Sequence, residues 1–134
     1  MDEAKLRDIP LFSKLSRKQR KLLALRADEV DVEPGTLVCR KGESAKELYV
    51  IVQGTAKVVR DDQYLDELGP GDFFGEMGVV DDAPRNANVI ATTPMTLMVL
   101  NGPVLREPER EHPGLASRIN ATIEQRRHWL EPAL

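Results

Sequence analysis

The chain has a single cysteine, Cys39, among its 134 residues. A lone cysteine closes no internal disulfide, so a fold stapled in an oxidising compartment is not indicated. Its surroundings, Thr36-Leu37-Val38-Cys39-Arg40, have strand character, and Cys39 reads as a small buried apolar residue. Long apolar runs are missing too: none approaches the ~20 residues of a membrane-spanning helix. The first residues, Met1-Asp2-Glu3-Ala4-Lys5, are charged and lack the apolar core of a signal peptide. A cytoplasmic protein with no membrane contact is the expectation. Cationic excess is absent as well. The formal net charge is -3, which argues against direct nucleic-acid binding. Histidine is scarce: His112 and His128 stand sixteen apart, with no cysteine or histidine partner at metal-ligand spacing. No metal or resident cofactor is expected, and a metal-binding β-roll is disfavoured. No serine sits in a G-x-S-x-G context, and no carboxylate pair has an obvious glycosidase arrangement. The expectation is therefore a protein that is not an enzyme.

What is present is ordinary globular sequence. At 41% hydrophobic and 31% charged residues, it has the composition of a chain that folds. This length suits one domain, 1–134, burying roughly two thirds of the surface the unfolded chain would expose. The chain falls into three stretches. Residues 1–29 read as helical. Ser16 is a helix N-cap with Gln19 at the third position, Leu15, Leu22, Leu23 and Leu25 give that helix an apolar side, and Ile9-Pro10-Leu11-Phe12 reads as an apolar plug against the domain. Residues 30–102 alternate short apolar runs with turn signals such as Pro34-Gly35, Gln53-Gly54 and Pro70-Gly71. Leu48 to Val52, Ala56 to Val59 and Met95 to Leu100 read as strands of an antiparallel β-sandwich, roll or barrel. Residues 103–134 return to helix, with a short charged piece from Leu105 to Glu111. A longer helix then opens at Pro113, its apolar stripe formed by Leu115, Ile119, Ile123 and Leu130. Arg118, Arg126, Arg127 and His128 on that helix read as a solvated charged face, with a dedicated anion-binding face the other use of the same residues.

The most informative stretch is Phe73-Phe74-Gly75-Glu76-Met77-Gly78-Val79-Val80-Asp81-Asp82-Ala83-Pro84-Arg85-Asn86-Ala87-Asn88-Val89. A carboxylate preceded by glycine stands nine positions before an arginine. Arginine meets a phosphate through charge-assisted, fork-shaped hydrogen bonds. A carboxylate accepts from a sugar hydroxyl, and free backbone N–H groups at the start of a turn face an anion. The residues suit a small anion that also carries a hydroxyl. A structural Glu76–Arg85 ion pair with no ligand is the other use of the same two side chains.

This stretch resembles the phosphate-binding cassette of the cyclic nucleotide-binding domain family, roughly F-G-E-(L/M)-(A/G)-L, a short loop, then R-(A/S/T)-A-(T/S)-V. The resemblance runs from about Leu11 to Leu130 through Gly35, Gly42-Glu43, Leu48-Tyr49-Val50-Ile51-Val52-Gln53-Gly54 and Leu68-Gly69-Pro70-Gly71-Asp72-Phe73-Phe74. It implies a mainly β fold: an antiparallel β-roll of jelly-roll type, with N-terminal helices, a short cassette helix in 73–89 and C-terminal helices. It also implies a ligand site. Gly75 lets the chain approach the ligand, Glu76 holds the ribose 2′-hydroxyl and Arg85 neutralises the cyclic phosphate. The backbone N–H groups of Met77, Asn86 and Ala87 are further contacts. Val58 and Leu65 line the pocket, with Asp66 beside them as an acceptor for a base N–H or as a solvated turn residue. Trp129, the only tryptophan, either stacks on the base or packs on the roll or in a helix seam.

Asn86 and Asn88 stand where the family has alanine, serine or threonine, and threonine or serine. Asparagine matches neither the cyclic GMP nor the cyclic AMP cue, so cyclic AMP is expected from family prevalence, with cyclic GMP the other candidate. The resemblance implies a sensor whose C-terminal helix closes over the ligand and signals to a separate protein partner. No helix-turn-helix follows the last helix, so direct transcriptional control is not expected of this chain; a free-standing sensor is the expectation, with an excerpt of a longer chain the other reading. The same fold with a degenerate cassette, serving as a protein-interaction module or as a homodimer through its C-terminal helix, is the alternative.

Overall fold

A computed structural model describes residues 1–42, 47–75 and 87–126. The chain opens with two 3-10 turns, Glu3–Lys5 and Pro10–Phe12, and the helix α1, Arg17–Arg26. Eight strands follow among the described residues: β1 Asp28–Val32, β2 Leu37–Cys39, β3 Glu47–Gln53, β4 Ala56–Arg60, β5 Gln63–Leu68, β6 Phe73–Phe74, β7 Asn88–Ala91 and β8 Met95–Asn101. Two helices close the described chain, α2 Gly102–Leu105 and α3 Leu115–Gln125. The strands form two antiparallel four-stranded sheets, ordered β1-β8-β3-β6 and β2-β7-β4-β5.

The central strands of the first sheet, β3 and β8, are covered on both faces, which explains their near-continuous apolar sequences. Successive side chains of a strand point to opposite faces. Leu48 and Val50 of β3, with Met98 and Leu100 of β8 and Phe73 of β6, join Leu11, Phe12, Leu15, Leu23, Leu115 and Ile119 in a helix-side core. Ile51, Leu97 and Phe74 point the other way. They meet Ala56, Val58, Ala87, Val89 and Cys39 in the interior of the roll. The second sheet covers that interior with one face only, so β4 alternates buried Ala56 and Val58 with exposed Lys57. Cys39 is buried, as its sequence context implies.

Local signals set the ends of the elements. Ser16 Oγ accepts from Gln19 N at 3.1 Å, and Gln19 Oε1 accepts from Ser16 N at 2.8 Å, a complete capping box. Gly54 joins β3 to β4 at φ +95°, and a Cβ there would lie 2.3 Å from the Pro94 carbonyl oxygen. Only glycine fits a turn held in that conformation against another loop. Two expectations shift. The last described helix starts at Leu115 rather than Pro113, because Gly114 adopts φ +84° and breaks the run. Leu22 and Leu25 are 52% and 77% exposed, while Leu15 and Leu23 are buried. The inward face of α1 is set by Leu23, Ala24 and Arg20, not by the leucine cluster as a whole.

Arg20 anchors the N-terminal segment. Its Nε donates to Glu3 Oε1 at 2.7 Å, and its Nη1 donates to the Leu15 carbonyl at 2.7 Å. The hydrogen bond from Arg20, then the charges of Arg20, Arg7 and Arg17, outweigh desolvation and hold the Glu3 carboxyl below its ordinary pKa. A depressed carboxylate pKa stabilises the fold above the unfolded-state value, and that contribution is lost as pH falls through the folded-state value. Glu3→Gln is therefore expected to flatten the acid limb of the stability curve, leaving less pH dependence below the ordinary carboxylate range. Urea titrations across that range check it. An acid limb identical in both proteins would show that the Glu3–Arg20 pair contributes nothing to it.

Candidate ligand site of the β-roll

β6 has only two residues, and they face opposite ways. Phe73 belongs to the helix-side core; Phe74 is fully buried in the roll and stacks on Tyr49, centroids 5.2 Å apart and planes 18° apart. Gly75 follows at φ +88°. That is left-handed backbone, which a side chain would strain. The glycine expected to bring the chain close to a ligand thus has a second reason to be glycine: it turns the chain directly out of β6.

The expected pocket residues Val58 and Leu65, and Ala87, expected as a backbone contact, lie in or against one cluster with Phe74. Val58 is fully buried and sits opposite Val89 on one side and Asp66 on the other. Ala87 is 4% exposed, and Leu65 is partly buried against the same cluster. Glu76, Met77, Arg85, Asn86 and Trp129 lie outside the described residues. Asn88 is described, and its amide has a structural use: Oδ1 accepts from Lys41 N at 2.7 Å, tying the chain beyond β2 to β7. An asparagine can make that bond at a position where the family has a hydroxyl side chain. Asp66 is half-buried within β5 rather than in a solvated turn, and its Oδ1 accepts from the Glu67 N–H at 2.8 Å.

On the helix side a groove of about 490 Å³ lies between β5, β6 and α3, lined among others by Leu11, Asp66, Phe73, Arg118 and Arg126. Here the expected solvated face of the last helix is corrected. Arg126 is 7% exposed, with its guanidinium carbon 5.4 Å from the centre of the Phe73 ring. A cation held over an aromatic face is a specific contact, not a solvated charge. Arg118 is partly buried, and among the described residues its Nε has no hydrogen-bond partner. Charge alone hid these residues in the sequence. The available signal was helical spacing: Arg118 and Arg126 are eight apart, close to two turns and one face. Among the described residues no group of histidine, cysteine and carboxylate side chains is arranged to hold a metal, and no helix is long and apolar enough to cross a membrane.

A two-sheet roll with a glycine turn leading into a Gly-Glu…Arg segment, flanked by helices packed on one sheet, is the architecture of a ligand-sensing β-roll. Residues 29–108 match the family model of the cyclic nucleotide-binding domain, and the chain belongs to that family. Over 120 residues, 89% of its length, it is 35% identical to a cyclic nucleotide-gated potassium channel of Rhizobium etli. It is 32% identical over 118 residues, 81% of its length, to a cAMP-dependent protein kinase regulatory subunit of Yarrowia lipolytica. The chain spans about a third of these curated relatives, 33% and 32%. Among solved structures it superposes with TM-score 0.81 and 28% identity, over 96% of this chain and 50% of that one, on a regulatory subunit of a cAMP-independent protein kinase A from Trypanosoma brucei. That structure carries three substitutions, one of them threonine to arginine, and has cAMP bound in its A site. The mainly β roll with flanking helices expected from the sequence is the fold observed.

Proposed function

We propose that this chain binds a cyclic nucleotide, cyclic AMP by preference, and passes the binding event through its C-terminal helices to a separate protein. The observation that carries the reading is Gly75. It leaves β6 in left-handed backbone beside the buried wall of Phe74, Val58 and Ala87 and leads into Glu76 and Arg85 at the family's spacing. Arginine supplies the planar, permanently charged fork that a cyclic phosphate requires. Glu76 supplies the acceptor for the ribose hydroxyl, and the purine lies against the apolar wall.

Phe73 and Phe74 offer a short mechanical link for the output. Phe74 faces the ligand wall, while Phe73 holds Arg126 at the end of α3. A ligand that favours one placement of this two-residue strand also favours one placement of the helix end, and coupling needs only that differential affinity. The ligand role is binding, with no reaction assigned to the site.

A second reading is the same roll without nucleotide. Asn86 departs from the family pattern, and a relative of the same fold is named for a cAMP-independent kinase. Here Gly75, Glu76 and Arg85 all stand at the family's spacing, which favours the first reading. Calorimetric titration of the purified chain with cyclic AMP and cyclic GMP decides the matter. Micromolar or tighter binding is expected, stronger for cyclic AMP. No heat with either nucleotide and no rise in melting temperature at millimolar ligand would leave only the second reading.

A further inference from the structure

We propose that the outward face of α1 is a docking surface for an acidic, leucine-bearing helical segment of a partner protein. The inference is independent of nucleotide binding. Five of the ten residues of α1 are cationic and none is acidic, in a chain whose net charge is -3. Two of those cations are used internally: Arg20 pairs with Glu3, and Arg26 pairs with Glu107. The other three, Arg17, Lys18 and Lys21, are exposed and make no ion pair or hydrogen bond with any described residue.

Leu22 and Leu25 stand among them, 52% and 77% exposed. At roughly 100° per residue these five side chains fall within an arc of about 140°. Leu23 is buried on the opposite side, and buried Ala24 lies just beyond the Arg17 edge of the arc. The face is also rigid. The capping box fixes its start, and Gln19 Nε2 donates to the Arg110 carbonyl at 3.1 Å. A rigid helix face with two exposed leucines ringed by unpaired cations is what an amphipathic segment with leucines and glutamates at helical spacing complements.

The shape of the patch selects this occupant over a flat anionic surface. Asp28, Glu29 and Asp31, all exposed, begin three residues after Leu25. A bilayer or a nucleic-acid backbone extends far enough to meet those carboxylates as well as the cations, whereas a single helix can lie along α1 and avoid them. Leucines have no counterpart on a phosphate backbone.

The test uses the full chain and a fluorescein-labelled synthetic peptide of glutamate and leucine only, with leucines at i, i+3, i+4 and i+7. A peptide of identical composition in scrambled order, and phosphatidylcholine vesicles containing phosphatidylserine, serve as comparisons. Anisotropy is expected to show salt-sensitive binding of the amphipathic peptide. That binding should fall at least about tenfold in Arg17→Glu/Lys21→Glu and, separately, in Leu22→Ser/Leu25→Ser. All four positions are exposed, so both variants should keep the parent melting temperature. Absence of binding, equal binding of the scrambled peptide, binding indifferent to either variant, or equal capture by the vesicles through the same residues would each overturn the proposal.

Discussion

Replacing Arg85 with alanine is expected to weaken cyclic AMP binding by about 2–5 kcal/mol, a rise in Kd of roughly thirty-fold to a few thousand-fold. The size follows from what is left behind. With the guanidinium gone, the cyclic phosphate faces the Glu76 carboxylate without a compensating cation, so the loss exceeds one ordinary hydrogen bond of about 1 kcal/mol. Arg85→Lys keeps the charge but loses the two-pronged geometry and should fall between parent and alanine. The competing role of the residue, a structural pair with Glu76, makes the opposite forecast. It lowers the melting temperature of the ligand-free protein slightly, since a surface ion pair contributes only about 0–1 kcal/mol, and it leaves nucleotide binding alone. Calorimetry and ligand-free thermal unfolding of the same samples separate the two. A parent-like Kd in Arg85→Ala would remove the phosphate role.

How much of this was readable beforehand depends on the range over which each feature is decided. The Ser16–Gln19 capping box and the glycine turns are settled within four residues, and they appear where the sequence puts them. Strand positions were also local, because apolar runs stop at turn residues. Pairing was not. β1 joins β8 across more than sixty residues, with Val30 opposite Leu97, and no local pattern encodes that choice. The leucines of α1 misled because three of them, Leu22, Leu23 and Leu25, suggest one broad apolar side, while Leu23 alone of these enters the core beside Ala24. Which direction is inward depends on Glu3 and Phe12, which are distant in the helix's own terms. Arg126 failed for the same reason. Its burial requires Phe73 to face the helices, and that follows from the register of Val50 with Phe73 in β3 and β6. At the site, Gly75 was legible from its motif, and its backbone supplies an independent reason for glycine. Val58, Leu65 and Ala87 were singled out as ligand contacts only through family resemblance; the structure shows them in or against one apolar cluster.

Phe12→Ala is expected to cost about 3–5 kcal/mol of folding stability, out of the roughly 5–15 kcal/mol typical of a domain. Phe12 is fully buried at the end of the Pro10–Phe12 turn. It belongs to the cluster that joins the N-terminal segment (Leu6, Ile9, Leu11 and Leu15) to the outer face of the first sheet (Leu48, Val50, Met98 and Leu100) and to Leu115 and Ile119 of α3. Three separate parts of the chain share this cluster, so the void left by the ring has no single neighbour that can relax into it, which places the cost toward the upper end of the range. The pyrrolidine of Pro10 holds the turn that delivers the side chain, so the backbone is not expected to collapse inward. Urea unfolding should show a lower midpoint at an unchanged slope, the mark of lost stability without a change in the surface exposed. A loss below about 1 kcal/mol would mean that the N-terminal plug opens on its own, apart from the cooperative unit formed by the sheets. In that case the contact between the plug and α3 could not carry a signal from the roll, because an element that detaches freely transmits no bias between two states.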